Sequence, residues 1–309
     1  MLSRIAESLF WIGRYIERAD DTARFLDVHL RLLVEDPWKT ETEACQDLLS
    51  LMGVDSDEPS RDSLVELLAW SPTSPASIFS CWRAARDNAR RAREVIPSEL
   101  WEVINTTWHQ LPARTGRGGH TGFLAWARER SALFTGTSRA SVVRDEGWQF
   151  LSLGRHLEQA DMTARLVSGA RLVGSNPWPA VLRGCGAHDA FLRTYRGVQG
   201  ERDAAEFLIQ DDRFPRSVMY GISGASHCLA QISPYGSDGG GRRDPAHDAH
   251  HLLGRLQAQL TYTPVGDLLD NLNDHMAEVG EGCDTVTRII SQTFFSISDP
   301  TAWTTEGVA

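Results

Sequence analysis

The chain has 309 residues, of which 41% are hydrophobic, and its 31 basic and 41 acidic side chains give a formal net charge of −10. A chain of this length and composition can bury a substantial core, so we expect a folded globular protein. The negative charge opposes broad contact with a phosphate backbone or an anionic membrane surface, which argues against nucleic acid and membranes as partners.

The cysteines and the N-terminal segment indicate a reducing, cytoplasmic location. The five cysteines are widely spaced and form no Cys-x-x-Cys pair, so neither a disulfide framework nor a zinc cassette is predicted. The opening segment, MLSRIAESLFWIGRYIERADD, carries a charge every few residues, which is not typical of a signal peptide. No uninterrupted apolar run approaches membrane-spanning length. We therefore expect reduced cysteines in the core of a cytoplasmic protein.

A long amphipathic helix is predicted at the start of the chain, over residues 2–35. Its apolar side chains recur every three or four positions from Ile5 to Leu26, which is the period of an α-helix. Asp36-Pro37 should end it, because the residue before a proline avoids the helical conformation. Shorter helical segments are predicted near residues 39–52, 61–70, 75–96, 98–110 and 121–134.

A second long helix is predicted over residues 141–172, where Gly174 and Asn176-Pro177 supply stop signals. Further helical segments are predicted near residues 179–196, 201–210, 215–232, 246–260 and 265–296. No segment shows a convincing strand alternation. The predicted fold class is therefore all-α, a helical bundle.

The two long helices carry the same charged motif. Residues 13–24 read GRYIERADDTAR and residues 154–165 read GRHLEQADMTAR, with eight of twelve positions identical. Later landmarks, such as Pro-Trp at 37–38 and 177–178, recur at nearly the same offset. We predict one domain over residues 1–309, built from two tandem pseudo-symmetric halves packed around their long helices. The halves are residues 1–140 and 141–281, and residues 282–309 form the end of the last helix and a tail.

The motif residues should lie at the edge of the core. On a helical wheel Gly13, Glu17, Asp20 and Arg24 fall within about 60° of one another, beside the apolar stripe. The second copy places four residues in the same way, namely Gly154, Glu158, Asp161 and Arg165. A glycine inside a helix costs roughly 1 kcal/mol, and a close helix crossing would offset that cost.

Two interpretations of these charges make opposite predictions. In the first, Glu17 and Glu158 form ion pairs with Arg24, Arg165 or their counterparts across the axis and hold the long helices in register. In the second, four carboxylates act as acid, base or metal groups in a cleft between the halves, namely Glu17, Asp20, Glu158 and Asp161. Closed ion pairs favour the first interpretation, and a solvent-open pocket favours the second.

A metal site at these carboxylates is not predicted. The di-metal sites of helix bundles use Glu-x-x-His pairs, and none occurs in the motifs. The interleaved guanidinium groups would also repel a dication. These belong to Arg14, Arg18, Arg24, Arg155 and Arg165, which are candidate substrate- or partner-binding residues instead.

A basic stripe follows in the segment SCWRAARDNARRARE. Its arginines are spaced i, i+3, i+7 and i+10, at Arg83, Arg86, Arg90 and Arg93. They form either a solvated helix face paired with Asp87 and Glu94 or a surface that binds an anion or a partner. Guanidinium groups bind carboxylates and phosphates in a bidentate manner, so both kinds of ligand would suit the second interpretation.

Known catalytic motifs are missing from the sequence. The segment His247-Asp248-Ala249-His250-His251 resembles the H-E-x-x-H zinc motif, but aspartate stands in the base position and no third ligand is evident. No phosphate-binding glycine loop and no G-x-S-x-G is present. The chain is therefore predicted to hold no cofactor of its own.

The doubled motif, with RAARDNARRARE (83–94) and DDRFPRSV (211–218), resembles the alpha-E family. These are bacterial all-helical proteins named for a Glu-Arg motif, here Glu17-Arg18. The second copy departs from it with Glu158-Gln159, so the dipeptide itself is not duplicated.

The resemblance implies a context rather than a reaction. Alpha-E proteins are encoded beside, or fused to, a circularly permuted ATP-grasp ligase and often a transglutaminase-like peptidase. We therefore expect an accessory subunit for ATP-dependent amide bond formation on a peptide or small molecule, with ATP and Mg²⁺ held by the ligase. An enzyme in its own right and a homo-oligomer are the alternatives.

Overall fold

The computed structural model describes residues 1–35, 40–114, 119–172, 177–196, 200–233 and 245–295. Every regular element within these ranges is helical, which confirms the all-α prediction. None of the helices in the described part of the chain combines the length and the apolar character needed to cross a membrane.

The α-helices of these ranges are numbered in chain order. They are α1 (Ser3–Glu35), α2 (Glu41–Leu51), α3 (Arg61–Val65), α4 (Ile78–Arg91), α5 (Ser98–Arg114), α6 (Gly119–Ser141), α7 (Glu146–Ser168), α8 (Trp178–Gly184), α9 (His188–Thr194), α10 (Glu201–Ile209), α11 (Val218–Ile232), α12 (Pro245–Tyr262), α13 (Val265–Asp270) and α14 (Leu272–Ile290). Short π-helical turns, Glu66–Trp70 and Ser291–Phe295, continue α3 and α14, and a 3₁₀ turn, Gly169–Leu172, continues α7.

Side-chain caps explain where several helices begin. Ser77 caps α4 by accepting the amide of Ser80, and Ser217 caps α11 by accepting the amide of Tyr220. The Ser77 hydroxyl also donates to the carbonyl of Ser71 at 2.5 Å. A capping oxygen satisfies one of the backbone amides that the first helical turn leaves without a partner. The predicted turn SPTSPAS therefore ends at Ser77, the residue that caps the start of α4.

Three predicted boundaries are corrected. The helix predicted over 141–172 begins only at Glu146, because the Asp145 carboxylate caps the amide of Trp148, while α6 extends through Ser141. The segment predicted over 179–196 is two helices, separated by a turn in which Gly186 has a φ of +62°. The segment predicted over 265–296 is divided at Asn271 between α13 and α14.

Helices α1 and α7 form the centre of the bundle. Helix α1 packs against α7, α4 and α6, and α7 packs against α1, α11 and α14. Nearly all of the buried apolar side chains from α1 to the final π-helical turn belong to one contiguous core. All five cysteines are buried, and all are free thiols.

The duplication of residues 1–140 and 141–281 stays a prediction, and the second limit of that division falls inside α14. The predicted stops at Asp36-Pro37 and Gly174 and the tail beyond residue 295 lie outside the described residues.

The two motif glycines lie where α1 and α7 cross. A Cβ atom added to Gly13 would lie 2.1 Å from the carbonyl oxygen of Leu151, and one added to Gly154 would lie 2.1 Å from the carbonyl oxygen of Phe10. Both positions are therefore closed to any side chain. The backbones touch at this crossing, which brings the charged residues one turn further along each helix within hydrogen-bonding distance of the other helix.

Candidate functional site: the ion-pair network between α1 and α7

Glu158 of α7 is the first centre of the network. Its Oε2 accepts from Nε of Arg14 at 2.5 Å, and its Oε1 accepts from Nε of Arg18 at 2.5 Å. Arg14 also donates to Oγ1 of Thr287 on α14 at 2.6 Å. Burial alone would raise the pKa of Glu158, but the two guanidinium groups outweigh it and lower that pKa to about 2. The carboxylate is therefore ionised at neutral pH and fully engaged.

Glu17 of α1 is the second centre. Its Oε2 accepts from Nε of Arg155 at 2.9 Å, and its Oε1 accepts from Nε2 of Gln159 at 3.1 Å. Arg216, in the turn before α11, places Nη1 3.3 Å from the same Oε1. Burial would raise the pKa of Glu17, but Arg155 and Arg216 outweigh it and hold the pKa below its usual range.

The departure from a doubled Glu-Arg motif is explained by this geometry. Arg18 gives Glu158 a second guanidinium group, whereas Gln159, at the matching position of α7, gives Glu17 only a neutral amide. Arg216 then supplies the second positive charge to Glu17 from another segment. Each central glutamate is therefore bound by two arginines, although the second copy of the motif lacks one of them.

The motif aspartates pair within their own helices. Nε of Arg24 lies 3.0 Å from Oδ2 of Asp20, and Nε of Arg165 lies 3.0 Å from Oδ2 of Asp161. Burial raises the pKa of Asp161, which Arg165 only partly opposes. The predicted partnership of the glutamates with Arg24 and Arg165 is therefore wrong, because those arginines reach the carboxylate one turn back on the same helix.

Arg216 lies among three buried carboxylates of α1. It pairs with Asp20 and Asp21 as well as with Glu17. Oxygen atoms of these three side chains lie within 4.8 Å of one another, which is the spacing of a cation site. The guanidinium group takes the position that a metal ion would need, so this cluster does not fit a dication.

Two oxygen atoms of this cluster are not satisfied. Oδ1 of Asp20 and Oδ2 of Asp21 are buried and have no hydrogen-bond partner among the residues that the structure describes. Burial raises the pKa of Asp21 well above its ordinary value, and neighbouring Glu17 and Asp20 add to that effect against the attraction of Arg216. Asp21 therefore holds a proton more readily than an ordinary aspartate does.

The four candidate catalytic carboxylates are thus buried and paired. Glu17, Asp20, Glu158 and Asp161 each expose 5% of their surface or less, and each accepts from at least one arginine. This arrangement matches the interpretation as a helix-joining network rather than as an acid–base cleft. Sequence reasoning missed three participants, Asp21, Arg216 and Thr287. Asp21 lies inside the first motif, where the second copy has Met162, and Arg216 lies in the stretch DDRFPRSV, whereas Thr287 had no such signal.

The basic stripe of α4 is divided in two. Arg83 donates to the carbonyl of Pro72 at 2.8 Å, and Arg86 donates to Oδ1 of Asn105 at 2.9 Å. These two arginines join α4 to the preceding turn and to α5. The predicted pairing of the stripe with Glu94 is wrong, because Glu94 instead forms an exposed ion pair with Arg4 at 3.6 Å.

The other end of the stripe is open to solvent. Arg90, Arg91 and Arg93 are exposed, and together with Arg4 and Glu94 they line an open depression. The guanidinium group of Arg93 also lies 5.7 Å from the ring centre of Trp101. We call the four arginines Arg4, Arg90, Arg91 and Arg93 the arginine patch. It is a concentration of positive charge on a protein of net charge −10.

A comparison with protein-family models finds one that covers nearly the whole chain. The model named Alpha-E, described as a predicted alpha-helical domain with a conserved ER motif, matches residues 1–295.

Curated relatives include an uncharacterized protein of Mycobacterium bovis and two of Mycobacterium tuberculosis. Each is 22% identical over 253 residues, which cover 70% of this chain and 28% of the relative. The chain thus corresponds to well under half of the length of these relatives. No solved structure matches it significantly.

Proposed function

Because the chain belongs to the Alpha-E family, we propose that it is an accessory binding subunit of a circularly permuted ATP-grasp ligase. The ligase would bind ATP and Mg²⁺ and form the amide bond on a peptide or small molecule. This subunit would hold the ligase in place, and a transglutaminase-like peptidase would be a further partner.

The arginine patch is the observation that carries the proposal. Arg90 and Arg91 belong to the last turn of α4, Arg93 follows two residues after the helix ends, and a single carboxylate, Glu94, lines the depression with them. Among the described residues, neither Arg90 nor Arg91 has an acidic side chain within ion-pair distance. Exposed arginines bind carboxylates with two parallel hydrogen bonds. The patch therefore suits an acidic surface of the ligase.

The ion-pair network supports a binding role in a second way. A catalytic carboxylate must reach the proton that it transfers, but the motif carboxylates are buried and occupied by arginines. The motif thus supplies a rigid frame for the surface of the bundle. The relatives favour the same role, since the matched region makes up 28% of longer chains and would act beside other parts of those proteins.

The experiment is a reconstitution with a circularly permuted ATP-grasp ligase from the same genome. The ligase and this chain are co-expressed, co-purified and assayed for ATP hydrolysis and amide product, and the ligase alone is assayed in parallel. We expect a stable complex and a faster or more selective ligase. A ligase that is equally active and equally selective without this chain contradicts the proposal.

A charge reversal tests the surface itself. The variant Arg90→Glu/Arg91→Glu/Arg93→Glu should lower the affinity for the ligase at least tenfold, and the loss should shrink at high salt because exposed charges are screened. The matched control reverses three exposed arginines elsewhere, Arg193, Arg202 and Arg255, and should bind as the unmodified protein does. Equal affinity of both variants would move the binding surface away from α4.

A further inference from the structure

Helix α12 carries a pair of histidines whose rings converge. His247 and His251 are four residues apart, and their Nε2 atoms lie 2.9 Å from each other. The ring centres are 4.4 Å apart and the ring planes meet at 79°. His251 is exposed and His247 is half-buried.

The separation of the nitrogen atoms matches two ligands of one metal ion. Imidazole nitrogens bind transition metals at about 2.0–2.1 Å. Two such ligands at a right angle, as in the tetragonal sites of Cu²⁺ and Ni²⁺, would lie about 2.9 Å apart, and in a tetrahedral Zn²⁺ site about 3.3 Å apart. The observed 2.9 Å therefore matches the nitrogen spacing for Cu²⁺ or Ni²⁺ and is a few tenths of an ångström short for Zn²⁺. The rings would still have to turn so that both Nε2 lone pairs face the ion rather than each other.

The pair can change from a hydrogen bond to a chelate without moving the helix. A hydrogen bond between two Nε2 atoms requires that one neutral ring carries its proton on Nε2 and the other does not. When a metal ion binds, the first ring moves that proton to Nδ1, and both Nε2 lone pairs then face the ion. No net proton is released in this exchange.

We propose that His247 and His251 form a two-histidine chelate for a divalent transition-metal ion, with affinity in the order Cu²⁺ above Ni²⁺ and Zn²⁺. This order follows the general preference of nitrogen ligands among first-row metals. Two protein ligands leave the other coordination positions to water or to a ligand with nitrogen or oxygen donors. The site is separate from the arginine patch and does not depend on the proposed role beside a ligase.

This site differs from the zinc motif that the sequence resembles. A catalytic zinc centre needs three protein ligands and a general base, which HDAHH does not supply. A chelate needs only the i, i+4 pair. The third histidine of the segment, His250, is used otherwise, because its Nε2 donates to the carbonyl of Ser233 at 2.8 Å and joins α12 to the end of α11. His250 is therefore the matched control.

The test is a titration of metal-free protein, prepared without a histidine tag, with Cu²⁺, Ni²⁺, Zn²⁺ and Mg²⁺ in a non-coordinating buffer. We expect one equivalent of Cu²⁺ to bind with the absorption spectrum of an imidazole complex, Ni²⁺ and Zn²⁺ to bind more weakly, and Mg²⁺ not to bind. The affinity should fall in acid, because imidazole binds metals only in its neutral form.

Variants decide whether the pair is the site. His247→Gln and His251→Gln should each lower the Cu²⁺ affinity at least tenfold, since either change destroys the chelate, while His250→Gln should retain it. Thermal unfolding of each variant without metal checks that the fold is intact. Unchanged Cu²⁺ affinity in His247→Gln and His251→Gln, or equal losses in all three variants, would overturn the proposal.

Discussion

Arg14 of α1 and Glu158 of α7 form an ion pair with 2.5 Å between Nε and Oε2, and their side chains expose only 3% and 0% of their surface. Taking such a pair out of water has a large desolvation cost, so a buried pair is weak support for stability in itself. Removing one partner is different, because it leaves the other charge buried without compensation.

Replacing Glu158 should strongly destabilise the folded protein. Glu158→Gln leaves Arg14 and Arg18 without their carboxylate, and we expect the free energy of unfolding to fall by about 3–5 kcal/mol at pH 7. Urea unfolding measures this change. The matched control is Glu146→Gln, also on α7, where the ion pair with the N-terminal amine is exposed and should contribute less than about 1 kcal/mol. Similar losses in both variants would contradict the prediction.

The contribution of Glu158 should depend on pH in a defined direction. Its pKa is about 2 in the folded protein and 4.5 when unperturbed. A lowered folded-state pKa means that the stabilisation is fully present above about pH 4.5 and is lost as the pH falls towards 2. The difference in unfolding free energy between the unmodified protein and Glu158→Gln should therefore be constant from pH 5 to 7 and shrink below pH 4.5. A difference that grows in acid would have the wrong sign.

Asp21 should behave in the opposite way. Burial raises its pKa well above 3.8, so its contribution to stability is present below that value and is lost as the pH rises through the folded-state pKa. Asp21→Asn should therefore lower the free energy of unfolding by less than about 1 kcal/mol at neutral pH, because Arg216 remains paired with Glu17 and Asp20. The effect of the substitution on stability should become more favourable as the pH rises. Unfolding at pH 5 and pH 8 measures this trend. A loss at pH 8 as large as that of Glu158→Gln would refute it.

The glycines at the helix crossing should not accept alanine. Gly13→Ala and Gly154→Ala each place a Cβ atom 2.1 Å from a carbonyl oxygen of the other helix, and the resulting separation of α1 and α7 should cost about 1–3 kcal/mol or more. The controls are Gly136→Ala in α6 and Gly254→Ala in α12, where a Cβ atom meets nothing within 4 Å. These changes should stabilise the protein by about 0.5–1 kcal/mol. Thermal unfolding separates the two pairs of variants.

The sequence predicts the helices and the crossing because both depend on local patterns. The apolar period defines α1, and Gly13 is a glycine inside that helix, which points to a close neighbour. The partners of Glu17 are a different matter. Arg24 and Arg155 share the motif with it, and only the rotation of α1 against α7 decides that Arg155 reaches Glu17 while Arg24 reaches Asp20.

Residues from outside the motif could not be assigned by such patterns. Arg216 approaches the network from the turn before α11, 195 residues along the chain from Asp21, and no periodicity relates the two. The divided role of the α4 stripe is similar. Its even spacing predicts one face, but Arg86 meets Asn105 of α5 and Arg90 meets solvent, because α5 covers only part of α4.

The two helices that cross at the centre of the bundle, α1 and α7, are synthesised at different times. Arg18 and Glu158 are 140 residues apart, so the apolar stripe of α1 leaves the ribosome roughly 7–28 s before its main neighbour at usual rates of synthesis. During that interval the surface of α1 that packs against α7 lacks its native neighbour, although α4 and α6 precede α7 in the chain. A fragment ending before α7 keeps this surface permanently, and it should therefore accumulate in inclusion bodies where the full chain does not.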